Sequence, residues 1–129
     1  MQQKNTYILG MGSNHQAEQN LLYARQELTE RYPDIKFSTV QRTTPIGFTK
    51  NRNLFLNQLA LLHTSETNEE VSRFLKQLEK ECGRTPEDKL QETIKLDLDV
   101  LQANEIPLKT AELERPYYQK ALQELLPSD

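Results

Sequence analysis

Short apolar segments rich in strand-forming residues alternate along the chain with longer segments whose apolar residues follow a helical spacing. Residues 6–12 (TYILGMG) predict a buried strand that ends at the polar residues after Gly12. Residues 16–31 predict a helix with one apolar face, because apolar residues recur there every three or four positions, and Pro33 ends it. That face consists of Ala17, Leu21, Ala24 and Leu28, with Tyr32 just beyond.

The middle of the chain predicts two further strands and a second helix. Residues 35–43 (IKFSTVQRT) alternate and contain β-branched residues, so they predict a strand that the Pro and Gly of residues 45–47 end. Residues 54–63 (LFLNQLALLH) are mostly apolar on both faces, which predicts a central strand. Thr67 and Glu70 form the pattern of a capping box at the start of a helix. Its apolar face holds Val71, Phe74, Leu75, Leu78 and Cys82, and Gly83 is suited to end it in a left-handed turn.

The last third of the chain predicts a loop, two strands and a final helix. Residues 84–92 (RTPEDKLQE) are polar and predict a loop, and residues 93–101 (TIKLDLDVL) alternate as a fourth strand. Residues 105–109 predict a short edge strand because they contain a proline. Residues 117–126 predict a short helix.

The order β-α-β-β-α-β determines the fold class that we expect. It is the split βαβ arrangement of a ferredoxin-like α+β sandwich, in which an antiparallel sheet carries its helices on one face. We expect one domain over residues 1–129, and we expect the other face of the sheet to carry the functional site.

Composition narrows the possible functions. The 129 residues are 36% hydrophobic, which allows one modest core. A net charge of −3 argues against a general nucleic-acid-binding protein, which needs a basic excess to neutralise phosphates. No apolar run approaches the ~20 residues of a membrane span, and the N-terminus does not look like a secretory signal. Cys82 is the single cysteine, which excludes an internal disulfide. These observations together predict a cytoplasmic protein, and we expect a monomer.

The segment Leu96–Val100 carries the clearest candidate for chemistry. Side chains alternate along a strand, so Asp97 and Asp99 point one way while their apolar neighbours point into the core. Asp is uncommon in strands, and two neighbouring carboxylates repel each other unless a cation such as Mg²⁺ lies between them. The alternative is a pair of solvated acids on the outer face of a half-buried strand.

Other candidate residues lie at the ends of strands. Phe55 and Asn57 share one strand face, where an aromatic ring could stack on a flat heterocycle and an amide could bond its ring nitrogens. The alternative is a core Phe with an isolated polar neighbour. Thr43–Gly47 is either an ordinary turn or a source of backbone hydrogen bonds, and Arg84 is either solvated or directed at a phosphate. No P-loop sequence is present, so ATP would be bound by another kind of site.

Five short motifs, taken in order, resemble one enzyme family over roughly residues 6–106. The motifs are YILGMGSN, RTTPIG, FLN, LEKECGR and LDLDVL, and they occur in the 6-hydroxymethyl-7,8-dihydropterin pyrophosphokinases of folate biosynthesis. The resemblance implies a ferredoxin-like fold and transfer of pyrophosphate from ATP to the hydroxymethyl group of the pterin, with release of AMP.

The resemblance also implies roles for individual residues. Asp97 and Asp99 match the acid pair that holds two Mg²⁺ ions on the ATP phosphates, and Arg84 matches a catalytic Arg. The pterin-binding positions are matched by Thr43, Thr44, Pro45, Ile46, Phe55 and Asn57. The nucleotide is expected to contact Glu79, Val100 and Tyr118, with Lys89 and Lys95 as the cations available to its phosphates.

The chain departs from the family pattern on the nucleotide side. The usual W-G-P-R-[ST] reads Q-E-T-I-K at residues 91–95, the usual Pro-His-Tyr reads Pro-Tyr-Tyr at residues 116–118, and the C-terminal part is short for the family. Two alternatives to an active enzyme therefore stay open. One is a catalytically impaired relative that binds a pterin or a nucleotide, and the other is a ferredoxin-like interaction module.

Overall fold

A computed structural model describes residues 4–126, which form a six-stranded antiparallel sheet with helices on both sides. The strands are β1 (Asn5–Ser13), β2 (Lys36–Phe37), β3 (Gln41–Thr43), β4 (Phe55–Thr64), β5 (Asp97–Ala103) and β6 (Ile106–Pro107). They lie in the order β2-β4-β1-β5-β6, and β3 also pairs with β4. This order, with both neighbours of β1 antiparallel to it, confirms the ferredoxin-like α+β fold.

Two long helices cover one face of the sheet, as the periodicity predicts. They are α1 (Ala17–Arg31) and α2 (Asn68–Glu81). The capping box of Thr67 and Glu70 begins α2, and Gly83 follows its end with a φ of 85°. The main core lies beneath these helices. It includes Leu9, Met11, Leu21, Leu28, Leu62, Leu75, Leu78 and Leu98.

A second apolar cluster lies on the opposite face. The short helices α4 (Thr110–Leu113) and α5 (Pro116–Leu125) pack there, although the element order alone places the helices of a ferredoxin-like sandwich on the first face. Their buried residues cover one half of this sheet face and leave the other half open. The cluster consists of Ile8, Leu59, Leu61, Leu101, Leu113, Tyr118, Ala121 and Leu125.

Side-chain hydrogen bonds explain where strands begin and end differently from the sequence prediction. The strand predicted over residues 35–43 is interrupted because Ser38 Oγ accepts the N–H of Leu59 at 2.9 Å in place of a regular ladder bond. The fourth strand begins at Asp97 rather than at residue 93, because Asn14 Oδ1 accepts the N–H of Ile94 at 2.7 Å. The predicted loop contains a short helix, α3 (Pro86–Leu90).

Candidate active site

A cavity of about 210 Å³ opens on the half of the second sheet face that α5 leaves uncovered. Gly10 and Gly12 of β1 form its floor, and the absence of side chains there creates the space. Gly12 pairs with Asn57 on one side and with Asp97 on the other. A Cβ at Gly12 would lie 3.3 Å from Asn57 Oδ1, and one at Gly10 only 2.9 Å from Leu101 Cδ1. The central strand therefore separates an amide wall from an acidic wall.

The acidic wall consists of Asp97 and Asp99, which alternate on β5 with the buried Leu98. Asp97 is exposed at the start of β5, although the surrounding protein displaces part of the water around its carboxylate. This desolvation, together with the charges of Asp99 and Glu79, raises the pKa of Asp97 to about 7. Lys76 Nζ lies 3.7 Å from Asp99 Oδ1. The two carboxylates are thus held close together although they repel each other.

Such a pair is suited to a divalent cation that brings other ligands with it. Within residues 4–126 no three His, Cys, Asp or Glu side chains form a metal-binding group. Mg²⁺ commonly binds through one or two carboxylates and completes its coordination with water and substrate phosphates. The residues present therefore fit Mg²⁺ that is bound jointly with a phosphorylated substrate.

The opposite wall combines aromatic and amide groups. Asn57 is buried, and its Nδ2 donates to Thr43 Oγ1 at 2.6 Å. Phe55, two residues earlier on the same strand face, meets Phe48 edge to face with ring centroids 5.5 Å apart. Thr44 and Ile46 also line the cavity from the turn, in which Pro45 lies between them. The structure thus brings most of the residues expected to bind a pterin to one side of one cavity.

A second cavity, of about 610 Å³, borders the first and is formed largely by residues 84–94. Arg84 and Lys89 line it, while Phe48 and Ile94 line both cavities. Lys95 is engaged elsewhere, since its Nζ donates to Gly83 O at 2.8 Å and lies 3.4 Å from Asp88. The boundary between the two cavities is therefore apolar.

The loop after Phe48 is fastened to this segment by Glu92. Its carboxylate accepts the backbone N–H groups of Thr49, Lys50 and Asn51, with distances to Thr49 and Asn51 of 2.9 and 3.2 Å. These hydrogen bonds, first that from Lys50, lower the pKa of Glu92. Glu92 thereby connects the loop of residues 48–53, which borders the first cavity, with the segment around the second cavity.

Three residues expected at the nucleotide occupy different environments. Glu79 is buried beneath β5, where it accepts the N–H of Leu98 at 2.7 Å and bonds Arg84 Nη1 at 3.1 Å. Val100 packs in the core on the helix-covered face, and its side chain is not among those that line either cavity in the part of the chain described. Tyr118 lines the first cavity, and burial raises the pKa of its hydroxyl.

The first cavity also contains residues that the sequence analysis did not single out. The two glycines on one face of β1 had a readable signal, because Gly is unusual inside a strand. The others come from the 48–53 loop, the segment before β5, and the α4–α5 region, whose positions depend on long-range packing. The overlooked residues are Gly10, Gly12, Phe48, Ile94, Glu112 and Arg115, and Tyr117 was noted only as a departure from the family pattern.

The solved structure compared with this chain shows only a weak likeness to it. Among solved structures, the chain is similar to the solution structure of the C-terminal domain of the MgtC protein from Mycobacterium tuberculosis, with 12% identity, a TM-score of 0.42, and coverage of 77% of this chain and 88% of that chain. A likeness this weak carries no argument. No curated protein sequence matches. No helix within residues 4–126 has the length and apolar character to span a membrane.

The family comparison extends over nearly the whole chain. The model described as 7,8-dihydro-6-hydroxymethylpterin-pyrophosphokinase (HPPK) matches residues 8–127. The matched range includes both walls of the first cavity and all of the segment that forms the second. The chain therefore belongs to the HPPK family.

Proposed function

We propose that this chain transfers pyrophosphate from ATP to the hydroxymethyl group of 6-hydroxymethyl-7,8-dihydropterin, with Mg²⁺ required. Family membership implies this reaction class. In this chain, one cavity has Phe55 and Asn57 on one wall and the carboxylates of Asp97 and Asp99 on the opposite wall. This arrangement is the observation that carries the proposal. Such a cavity can hold a flat heterocycle beside a metal-bound polyphosphate.

The pterin is assigned to the wall formed by β3, β4 and the turn between them. Phe55 offers a ring on which the heterocycle stacks, and Asn57 offers an amide that both donates and accepts. The Thr43–Asn57 hydrogen bond fixes the orientation of that amide. Backbone groups of Thr44, Pro45 and Ile46 complete the recognition of the heterocycle's edge.

The nucleotide is assigned to the acidic wall and the neighbouring second cavity. Asp97 and Asp99 would hold Mg²⁺, which when bound neutralises phosphate charge. Arg84 and Lys89 are available to phosphates from the second cavity, and Glu79 holds Arg84 in place at 3.1 Å. Lys95 would reach the nucleotide only by leaving Gly83 and Asp88. The side chain of Tyr118 contributes to the wall of the first cavity, and that of Val100 supports β5 from the core.

The transfer forms one bond and breaks one. The hydroxymethyl oxygen attacks the β-phosphorus of ATP, the bond from that phosphorus to the α,β-bridging oxygen breaks, and AMP leaves. The hydroxyl proton is released to water. The protein's task is to align the oxygen and phosphorus and to exclude water from the cavity.

The second candidate function is binding of a pterin without catalysis of the transfer. It is favoured by Ile94, which places an apolar side chain at the boundary between the two cavities. A pterin-binding protein without transferase activity would need Phe55 and Asn57 but not the carboxylate pair.

The decisive experiment measures AMP formation by the purified protein with ATP, Mg²⁺ and 6-hydroxymethyl-7,8-dihydropterin. We expect AMP release that requires both the pterin and Mg²⁺ and that falls at least about 10³-fold in Asp97→Ala and Asp99→Ala. Asp34→Ala, which removes an exposed carboxylate outside both cavities, is the matched control and should keep full activity. Absence of turnover together with pterin binding in calorimetry would select the binding relative instead.

A further inference from the structure

The charges that line the first cavity are out of balance for a polyphosphate substrate. Three carboxylates line it, those of Asp97, Asp99 and Glu112, whereas Arg115 is the one Lys or Arg among the lining residues that the structure describes. A nucleoside triphosphate adds several negative charges of its own. Even with metal bound to the acid pair, a cationic side chain in this cavity is needed to compensate those charges.

The other nearby cations are directed elsewhere. Lys76 contacts Glu79 and Asp99 at 3.3 and 3.7 Å and does not line either cavity in the described part of the chain. Arg84 and Lys89 line only the second cavity. At the boundary between the cavities, Ile94 brings no charge. Arg115 is thus the cation that a phosphate group in the first cavity would meet.

The guanidinium of Arg115 is held in position through two tyrosines. Arg115 Nη1 donates to the hydroxyl of Tyr117 at 2.9 Å, and the ring of Tyr117 meets that of Tyr118 with centroids 4.6 Å apart. Tyr118 is buried against the sheet, and its hydroxyl borders the space above Gly10. The backbone is fixed too, since the carbonyl of Arg115 accepts the N–H of Tyr118 at 2.9 Å.

Most of the N–H donors of the Arg115 guanidinium are available to bind a ligand. A guanidinium has five N–H donors in a planar fork. Within residues 4–126, Arg115 makes one side-chain hydrogen bond, to Tyr117, and no ion pair with a carboxylate within 4.0 Å. A fork oriented in this way can bind two oxygens of one phosphate group, which an ammonium cannot do in the same geometry.

We propose that Arg115, positioned by Tyr117, is the phosphate-binding cation of the first cavity and grips the polyphosphate of the nucleotide. This role rests on the proposed function. It assigns the recognition of phosphate in this cavity to the start of α5, in addition to the segment that precedes β5.

The test measures binding of α,β-methylene-ATP with Mg²⁺ by calorimetry, so that no turnover is required. We expect Arg115→Ala to weaken binding about 30-fold, the loss of a charge-assisted bidentate contact. Arg115→Lys should recover part of this loss, and Tyr117→Phe should weaken binding about fivefold because it removes the hydroxyl that orients the fork. Lys120→Ala removes an exposed cation on the same helix, outside the cavity, and should bind like the unmodified protein.

Pterin binding and thermal unfolding separate the possible outcomes. The proposal requires that Arg115→Ala keep its affinity for 6-hydroxymethyl-7,8-dihydropterin and unfold at the temperature of the unmodified protein. If the unmodified protein binds the analogue and Arg115→Ala binds it equally well, the assignment of Arg115 is wrong while the proposed function stands. If Arg115→Ala loses pterin affinity to the same extent, the assignment to phosphate is also wrong. If the unmodified protein does not bind the analogue, both proposals fail.

Discussion

Neighbouring residues of the same strands serve different purposes on the two faces of the sheet. Toward α1 and α2, β5 presents Leu98, which is fully buried in the main core. Toward the other face it presents Asp97 and Asp99, which line the cavity. On β4, Gln58 faces α1 while Asn57 faces the cavity. The comparison suggests that one face supplies most of the stability, so that the open half of the other can hold polar residues that do little for folding.

Substitutions of the adjacent residues Leu98 and Asp99 on β5 should give the largest difference between an effect on stability and an effect on activity. Leu98→Ala should lower the free energy of unfolding by about 3 kcal/mol, because it removes buried methyl groups and leaves a cavity in the core. Asp99→Ala should change it by less than about 0.5 kcal/mol, since its ion pair with Lys76 is partly exposed. Urea unfolding monitored by circular dichroism gives both values.

The activity of the same two variants should show the reverse pattern. At a temperature where both are folded, we expect Leu98→Ala to keep most of the transferase activity and Asp99→Ala to lose it. A loss of stability in Asp99→Ala as large as that in Leu98→Ala would show that the carboxylate is part of the folding core, and the contrast between the faces would collapse.

The sequence predicts this contrast on β5 because it depends only on local geometry. Side-chain direction on a strand follows parity, so Asp97 and Asp99 had to share a face whatever the rest of the chain does. The same rule placed Phe55 and Asn57 together. Parity says nothing, however, about which of the two faces α5 covers, because that choice depends on packing between residues far apart in sequence.

The residues that sequence reasoning overlooked reach the cavity through such long-range packing. Arg115 precedes the predicted helix and Tyr117 begins it, and both line the cavity because Tyr118 is anchored against the sheet. The loop that carries Phe48 is polar and has no periodicity, and Glu92 fastens it from more than forty positions away. Neither placement has a local signal.

The adjacent residues Asn57 and Gln58 on β4 allow the same comparison of the two sheet faces, with smaller expected effects. Asn57→Ala should weaken binding of 6-hydroxymethyl-7,8-dihydropterin about tenfold, which corresponds to roughly 1.4 kcal/mol, because a preoriented amide is lost. Gln58→Ala should leave pterin affinity unchanged. It should cost about 1–2 kcal/mol of stability instead, since Ser38 and Arg25 lose a buried partner. Calorimetry measures the pterin affinity of both variants, and urea unfolding measures their stability. If Asn57→Ala and Gln58→Ala bound the pterin equally well, the prediction would be wrong.

The smallest effect concerns a residue of the open face that should oppose folding. The metal-free fold raises the pKa of Asp97 from 3.8 to about 7, first by desolvation and then through Asp99 and Glu79. The folded chain therefore binds this proton more tightly than the unfolded chain, and the resulting stabilisation is complete below about pH 4 and lost as the pH rises to 7. An ionised Asp97 should thus make the protein less stable above pH 7.

Asp97→Asn removes that charge and should stabilise the metal-free protein at pH 8 by about 1 kcal/mol, because solvent at the cavity screens part of the cost. The gain should shrink steadily between pH 7 and pH 4, where the carboxyl of the unmodified protein becomes protonated. Asp34→Asn, at an exposed position, should show no such pH-dependent gain. Urea unfolding at pH 5, 6, 7 and 8 measures the trend. A gain that is constant with pH would mean that packing, not charge, distinguishes the two side chains. The charge of Asp97 would then not lower the stability of the protein, which would contradict the prediction.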